Sequence, residues 1–242
     1  MKLLKINILS LLTLTVIANV SCTRDIPQVA PTQVGLSSVA TVQVFSATVK
    51  AARNYVYVDG VPVSGAVLAY SGIFPATAYS FIVNPGSRSI SIKDTAVVTT
   101  QTPLTFSQAF DAGKSYTVFT YDTITSVKQL TVTNNITVPT DTSAMLRFAN
   151  FIYNTTAVPA VDVYSFKKGA TPLFTNVATA AVTDFVPYPS LVTDTLYVYA
   201  TGTTTPLLAK AAVLSLTPTR SYTTVYSGSY KGTKVVSVFA TY

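Results

Sequence analysis

Short runs of alternating side chains limit most what this chain can become. "TVQVF" (41–45), "YVYV" (55–58), "SISI" (89–92) and "YTVFTY" (116–121) are rich in β-branched and aromatic residues, often set against smaller polar ones. Successive side chains of an extended strand point to opposite faces, so a period of two reads as a strand with one buried face. Turn chemistry separates the runs. Asp59-Gly60 directly follows "YVYV" and suits a two-residue hairpin, because glycine takes positive φ with no Cβ clash. Pro85-Gly86 suits a type II turn, and "DAGKSY" (111–116) places Gly113 just ahead of another strand. "LLAKAAVL" (207–214) has helical propensity, but its place in the order of runs is that of "LTFSQAF" (104–110), so a strand is expected there too.

The order of runs occurs twice. "TVQVFSA" (41–47) resembles "MLRFAN" (145–150), and "NYVYVDG" (54–60) resembles "AVDVYSF" (160–166). "FIVNPGSRSISIKD" (81–94) matches "DFVPYPSLVTDTLYVYA" (184–200) in rhythm. "GKSYTVFTYD" (113–122) resembles "TRSYTTVYSG" (219–228), and "SVKQLTV" (126–132) resembles "TKVVSVF" (233–239). Offsets near about 105 residues in one order indicate a duplication. Each unit has a typical single-domain size, with about seven short strands. The expected fold is all-β: two tandem immunoglobulin-like β-sandwich domains, over 39–135 and 143–242. The polar stretch "TNNITVPTDTS" (133–143) lies between them.

The N-terminus reads as a leader. Lys2 and Lys5 precede an apolar run from Ile6 to Ala18, shorter than the roughly 20 residues a bilayer span needs. Val20-Ser21-Cys22 then resembles the end of a bacterial lipobox, and Cys22 is the single cysteine of the chain. That resemblance implies a signal peptide over 1–21 cut before Cys22, and lipid on its thiol and new amine. Several acyl chains on one residue make a stable anchor where one chain is marginal. Residues 22–38, with Pro27, Pro31 and Gly35, read as the lipidated tether. The expected location is the outer membrane, on the periplasmic face or the cell surface.

Composition narrows the function classes. The chain has no histidine, and its nine acidic residues are all aspartates. The commonest general base and the commonest neutral metal ligand are therefore missing. With the lone thiol reserved for lipid, no cysteine nucleophile and no thiolate metal site remain. There is no G-x-S-x-G elbow and no Asp-x-Asp-x-Asp calcium loop. Ser165-Phe166-Lys167-Lys168 reads S-x-x-K, but in an expected hairpin that spacing does not bring serine and lysine together. No catalytic residue, metal site or cofactor is assigned, and an enzyme is not expected. The net charge of +7 falls to +5 once Lys2 and Lys5 leave with the leader, and it is spread along the chain. A dense basic stripe is lacking, so nucleic acid is not an expected partner.

A family resemblance enters with residues 144–177. "AMLRFANFIYNTTAVPAVDVYSFKKGATPLFTNV" resembles the opening of the bacterial domain of unknown function 4397. Arg147, Phe148, Ala149, Asn150, Pro159, Ala160, Val161, Asp162, Val163, Tyr164, Leu173 and Phe174 stand at the places of its pattern, and "RSYTTVY" (220–226) resembles its later strand. In the first unit Gln43-Val44-Phe45 stands for the arginine-phenylalanine stretch. The resemblance implies a secreted or lipid-anchored β-domain, often in tandem, and brings no catalytic residues. On the residues alone, Val161 and Val163 should face inward, and Arg147 is expected to pair with Asp162 across neighbouring strands.

What remains is binding. Fifteen tyrosines and twelve phenylalanines, with no tryptophan, must mostly build cores. Candidate ligand contacts are Tyr153 and Asn154 in the loop 152–159, and Tyr188, between Pro187 and Pro189, in the loop 186–190. Thr95, Thr123 and Thr195 each follow an aspartate and match an O-glycosylation consensus, although Asp-Thr is also ordinary turn chemistry. The expected function is a non-catalytic cell-envelope lipoprotein acting as an interaction or structural module. Its partners would be the membrane through Cys22 and a glycan or surface-protein ligand. The alternatives are a glycan-binding accessory lipoprotein of a polysaccharide-uptake system, or a subunit of a surface polymer using the edge of "KVVSVFATY" (234–242).

Overall fold

A computed structural model describes residues 35–213 and 215–242. After one 3-10 turn at Leu36–Ser38, all regular structure among the described residues is β. The first half carries β1 (Ala40–Ser46), β2 (Asn54–Val58), β3 (Val61–Pro62), β4 (Ile73–Phe74), β5 (Phe81–Val83), β6 (Gly86–Asp94), β7 (Leu104–Phe110), β8 (Ser115–Tyr121) and β9 (Lys128–Thr133). The second half repeats this series with β10 (Ala144–Tyr153), β11 (Val161–Ser165), β12 (Phe174–Val177), β13 (Ala181–Val182), β14 (Val186–Tyr188), β15 (Asp194–Ala200), β16 (Ala209–Val213), β17 (Ser221–Ser229) and β18 (Lys234–Ala240). The helix-prone "LLAKAAVL" therefore supplies a strand, since pairing with β15 outweighs local propensity.

The duplication extends to topology. Each half has an outer sheet, ordered β3-β2-β6-β7 and β12-β11-β15-β16, and an inner sheet, ordered β4-β1-β8-β9 and β13-β10-β17-β18, with β5 and β14 also on the first strand. That first strand lies inside its sheet and pairs in parallel with the penultimate one, Val44 opposite Val118 and Phe148 opposite Thr224. In the constant-type immunoglobulin arrangement the first strand is at an edge. The expected turn at Asp59-Gly60 forms, with both residues at positive φ (50° and 81°), as a tight hairpin requires. At Gly228 the reason is room: an added Cβ would lie 2.3 Å from the Thr233 carbonyl oxygen.

Three buried layers result from the alternation. Even-numbered residues of β1 and β8, such as Val42, Val44 and Val118, meet Ile90 and Ile92 of the outer sheet and fill the first sandwich. Leu146 and Phe148 meet Val161, Val163 and Leu196 and fill the second. Odd-numbered residues of the inner sheets form a third layer between the halves, with Phe45, Ala47 and Phe119 against Ala149, Phe151 and Val225. Phe45, Phe119 and Phe151 are at most 1% exposed. Fully burying such a side chain contributes about 1.5–3 kcal/mol. Residues 35–242 thus make one compact unit of four stacked sheets.

The expected pairing of Arg147 with Asp162 does not form. Arg147 is an odd-numbered residue of β10 and points into the layer between the halves, where its Nε donates to Thr223 Oγ1 at 2.9 Å. Asp162 sits on the outer sheet and clamps two loops. It accepts from the Asn176 amide (2.7 Å), the Gly202 amide (2.9 Å) and the Thr201 hydroxyl (3.1 Å).

Candidate functional site

The central parallel pairs of the two inner sheets, β1 with β8 and β10 with β17, set two ends of the fold. At one end the chain enters at Gly35 and β1, β8, β10 and β17 begin. At the far end β8 stops at Tyr121 and β10 at Tyr153. Because both inner sheets stop together, the segments after them wall a cleft of about 410 Å³. The first half contributes Tyr121, Asp122 and Lys128. The second contributes Ile152 to Val158, with Thr179 and Ala180.

The walls are fixed by packing and hydrogen bonds. The ring of Tyr121 lies 5.1 Å from that of Phe151, at 32°, so its position is set by the layer between the halves. Lys128 Nζ sits 2.7 Å from Asp122 Oδ2, and Asp122 Oδ1 accepts from the Thr123 amide at 2.8 Å. The hydrogen bond and the charge of Asp122 raise the Lys128 pKa. Asn154 Nδ2 donates to both the carbonyl and the hydroxyl of Thr156, at 3.1 and 2.9 Å, which closes the loop on itself. The Tyr153 carbonyl accepts from the Tyr230 amide at 2.8 Å. Two cleft residues, Asp122 (φ 75°) and Ala180 (φ 59°), hold left-handed backbone without being glycine. Such conformations carry strain of order 1–3 kcal/mol and persist where the surroundings impose them.

This cleft brings together two of the three expected ligand contacts, Tyr153 and Asn154, both half-buried. The third, Tyr188, is corrected. Its ring is 1% exposed in the core of the second sandwich, at the opposite end, and its hydroxyl donates to Asp194 Oδ2 at 2.5 Å. Although flanked by two prolines, Tyr188 pairs with Ala144 as part of β14 rather than standing in a loop, and its ring turns inward. No local sequence pattern points to Tyr121 or Lys128. Each belongs to the other half, and no local pattern announces that the two halves meet.

Ser165 Oγ donates to Asp194 Oδ2, whereas Lys168 Nζ donates to the Pro187 carbonyl at 3.3 Å, so the S-x-x-K pair is apart. Asp194 also accepts the amides of Lys167 and Thr195. Of the threonines after aspartates, Thr95 is exposed, while Thr123 and Thr195 are half-buried. The aspartates before them accept hydrogen bonds, Asp94 from the Ala96 amide and the Thr99 hydroxyl. "KVVSVFATY" supplies β18, an edge strand paired only with β17. Cys22 and the leader lie outside the described residues. Among the described residues, no helix is long and apolar enough to cross a membrane, and no group of three or more potential metal ligands gathers.

No family model matches the chain, and no curated protein matches it in sequence. Among solved structures, it is similar to the carbohydrate-binding module CBMbc (family CBM26) of Eubacterium rectale Amy13K, solved in complex with maltoheptaose. The identity is 13% and the TM-score 0.28, over 82% of this chain and 96% of that one.

Proposed function

We propose that this protein is a non-catalytic binding module of the cell envelope, anchored through acylated Cys22, whose far-end cleft takes a carbohydrate. One observation carries the reading. Tyr121 and Tyr153, the Asp122–Lys128 pair and Asn154 line a single open cleft of about 410 Å³. Tyrosine offers an apolar face and a polar tip, and the ion pair and amide offer donors and acceptors for hydroxyls. The volume lies within the range of small-ligand sites. The sequence supports the non-catalytic part, since it lacks histidine and glutamate altogether.

The test is a glycan array with the full chain, followed by titration calorimetry on any sugar that binds. Tyr121→Ala and Tyr153→Ala should each weaken binding by at least about tenfold, as expected of a hot spot. Unchanged affinity in both variants would remove the cleft from the proposal, and turnover of a bound sugar would remove the non-catalytic reading. Mass spectrometry of the membrane-extracted protein should find an acylated N-terminal cysteine. Retention on membranes equal to wild type in Cys22→Ala would remove the anchor.

A further inference from the structure

The end at which the chain enters differs from the end that carries the Tyr121–Tyr153 cleft. A second, larger cleft of about 660 Å³ opens there, with Leu36, Tyr79, Val138 and Tyr242 on its rim. All four are exposed, Leu36 at 66%. Ile82 is exposed one strand away, opposite Thr41 of the same cleft. Leu191, 69% exposed, follows Ser190, whose hydroxyl donates to the Thr142 carbonyl just before β10 begins. Scattered single apolar residues on a surface are ordinary, but six at one end of the fold form a patch.

Cations stand among them. Lys114 lines the cleft. The Arg220 guanidinium lies 5.3 Å from the ring of Tyr79 and 5.7 Å from that of Tyr242. The acids of this end are engaged locally. Asp141 accepts from the amide and hydroxyl of Ser143, and Asp111 accepts from Tyr116. Aliphatic side chains, tyrosines and long cations side by side are the composition of protein surfaces at the headgroup level of a bilayer.

The length of the preceding chain identifies the occupant. Twelve residues separate Cys22 from Gly35. A chain of that length reaches at most about 45 Å when fully extended. A lipid on Cys22 therefore keeps Gly35, and this end of the fold with it, within that reach of the bilayer. We infer that this end of the fold docks on a lipid surface, with Leu36, Val138 and Leu191 among the headgroups and Lys114 and Arg220 against lipid phosphates. The inference rests on the anchor at Cys22 and goes beyond the carbohydrate reading. It turns the Tyr121–Tyr153 cleft away from the membrane.

The experiment uses the full chain reconstituted into vesicles of phosphatidylcholine and phosphatidylglycerol. Nitroxide labels are placed one at a time by Val138→Cys, Leu191→Cys or Val97→Cys. Val97, at the far end, is fully exposed. Labels at 138 and 191 should be several-fold less accessible than the label at 97 to a water-soluble relaxation agent. Leu36→Asp with Leu191→Asp should restore access to the label at 138. Equal accessibility of all three labels on vesicles would overturn the inference. So would shielding that persists in detergent without vesicles, which would mean that a second copy covers this face. The mass of the N-terminal peptide reads the anchor separately. Free labels on an acylated protein would sink the docking and leave the anchor standing. Shielded labels on an unacylated protein would do the reverse.

Discussion

Arg147 Nη2 donates a 3.0 Å hydrogen bond to Thr117 Oγ1, joining the second half of the chain to the first through a side chain that is 2% exposed. The Thr117 hydroxyl in turn donates to Asn134 Oδ1 at 2.9 Å, and Thr223, which accepts from Arg147 Nε, is 2.6 Å from Thr241 Oγ1. The ring of Phe185 lies 4.6 Å from the guanidinium carbon. Among the described residues no carboxylate pairs with this cation, and burial lowers its pKa to about 9. Shape, threonine hydroxyls and the face of Phe185 hold it, rather than a carboxylate.

Replacement of Arg147 should separate volume from charge. Arg147→Ala leaves a cavity between the inner sheets and should destabilise by about 2–4 kcal/mol in urea titrations. Arg147→Met fills much of the volume and removes a buried, unpaired charge, so most of that stability should return. Equal losses in the two variants would mean that the hydrogen bonds dominate.

Tyr188 and Tyr153 should behave in opposite ways. Tyr188→Phe removes a buried donor from Asp194 and should lower stability by about 1–2 kcal/mol, with ligand binding intact. Tyr153→Ala should leave the thermal midpoint near wild type and weaken binding. Calorimetric unfolding beside titration of the two variants checks this, and loss of binding in Tyr188→Phe would move the site.

Acid should act through Asp162 and Asp194. Burial raises both pKa values. Hydrogen bonds more than offset it, from Asn176, Gly202 and Thr201 for Asp162 and from Ser165, Tyr188, Thr195 and Lys167 for Asp194, so both lie below the ordinary carboxylate value. The unfolded chain then binds protons more readily. Their contribution is present above an unfolded pKa of about 3.9 and is lost as pH falls through the folded value. Asp162→Asn and Asp194→Asn should each be less stable at neutral pH and show a flatter acid limb in urea midpoints taken from about pH 6 to 2.

The two halves should unfold together. Each inner sheet serves two cores, its own sandwich and the layer of Phe45, Phe119 and Phe151. Phe119→Ala should destabilise by about 3–5 kcal/mol and keep one transition by both circular dichroism and calorimetry. Two resolved transitions in the wild type would show independent halves.

Much of the fold was legible in local patterns. The period-two runs became β1, β2, β6 and β8, and Asp59-Gly60 became the hairpin it suits, because pleat geometry and positive φ are properties of a few adjacent residues. The repeat was legible too, since like sequences in like order folded into like topology. The candidate site was half legible. Tyr153 and Asn154 stood out as a polar loop with an aromatic residue, but Tyr188 in its proline-flanked segment looked much the same and is buried.

Alternation determined by itself that each strand of the inner sheets has two faces, and composition that few titratable groups are available for chemistry. The tertiary structure alone decided that both faces of β1, β8, β10 and β17 are buried. Gln43, Arg147 and Thr117 occupy the face that reads as solvent-facing in an isolated sandwich, and all three are buried between the halves. Tyr121 met Tyr153 for the same reason. The contact joins residues from different copies of the repeat, and whether two sheets stack depends on the complementarity of their whole surfaces, with Phe45 and Phe119 fitting beside Ala149 and Val225, which no single stretch of sequence displays.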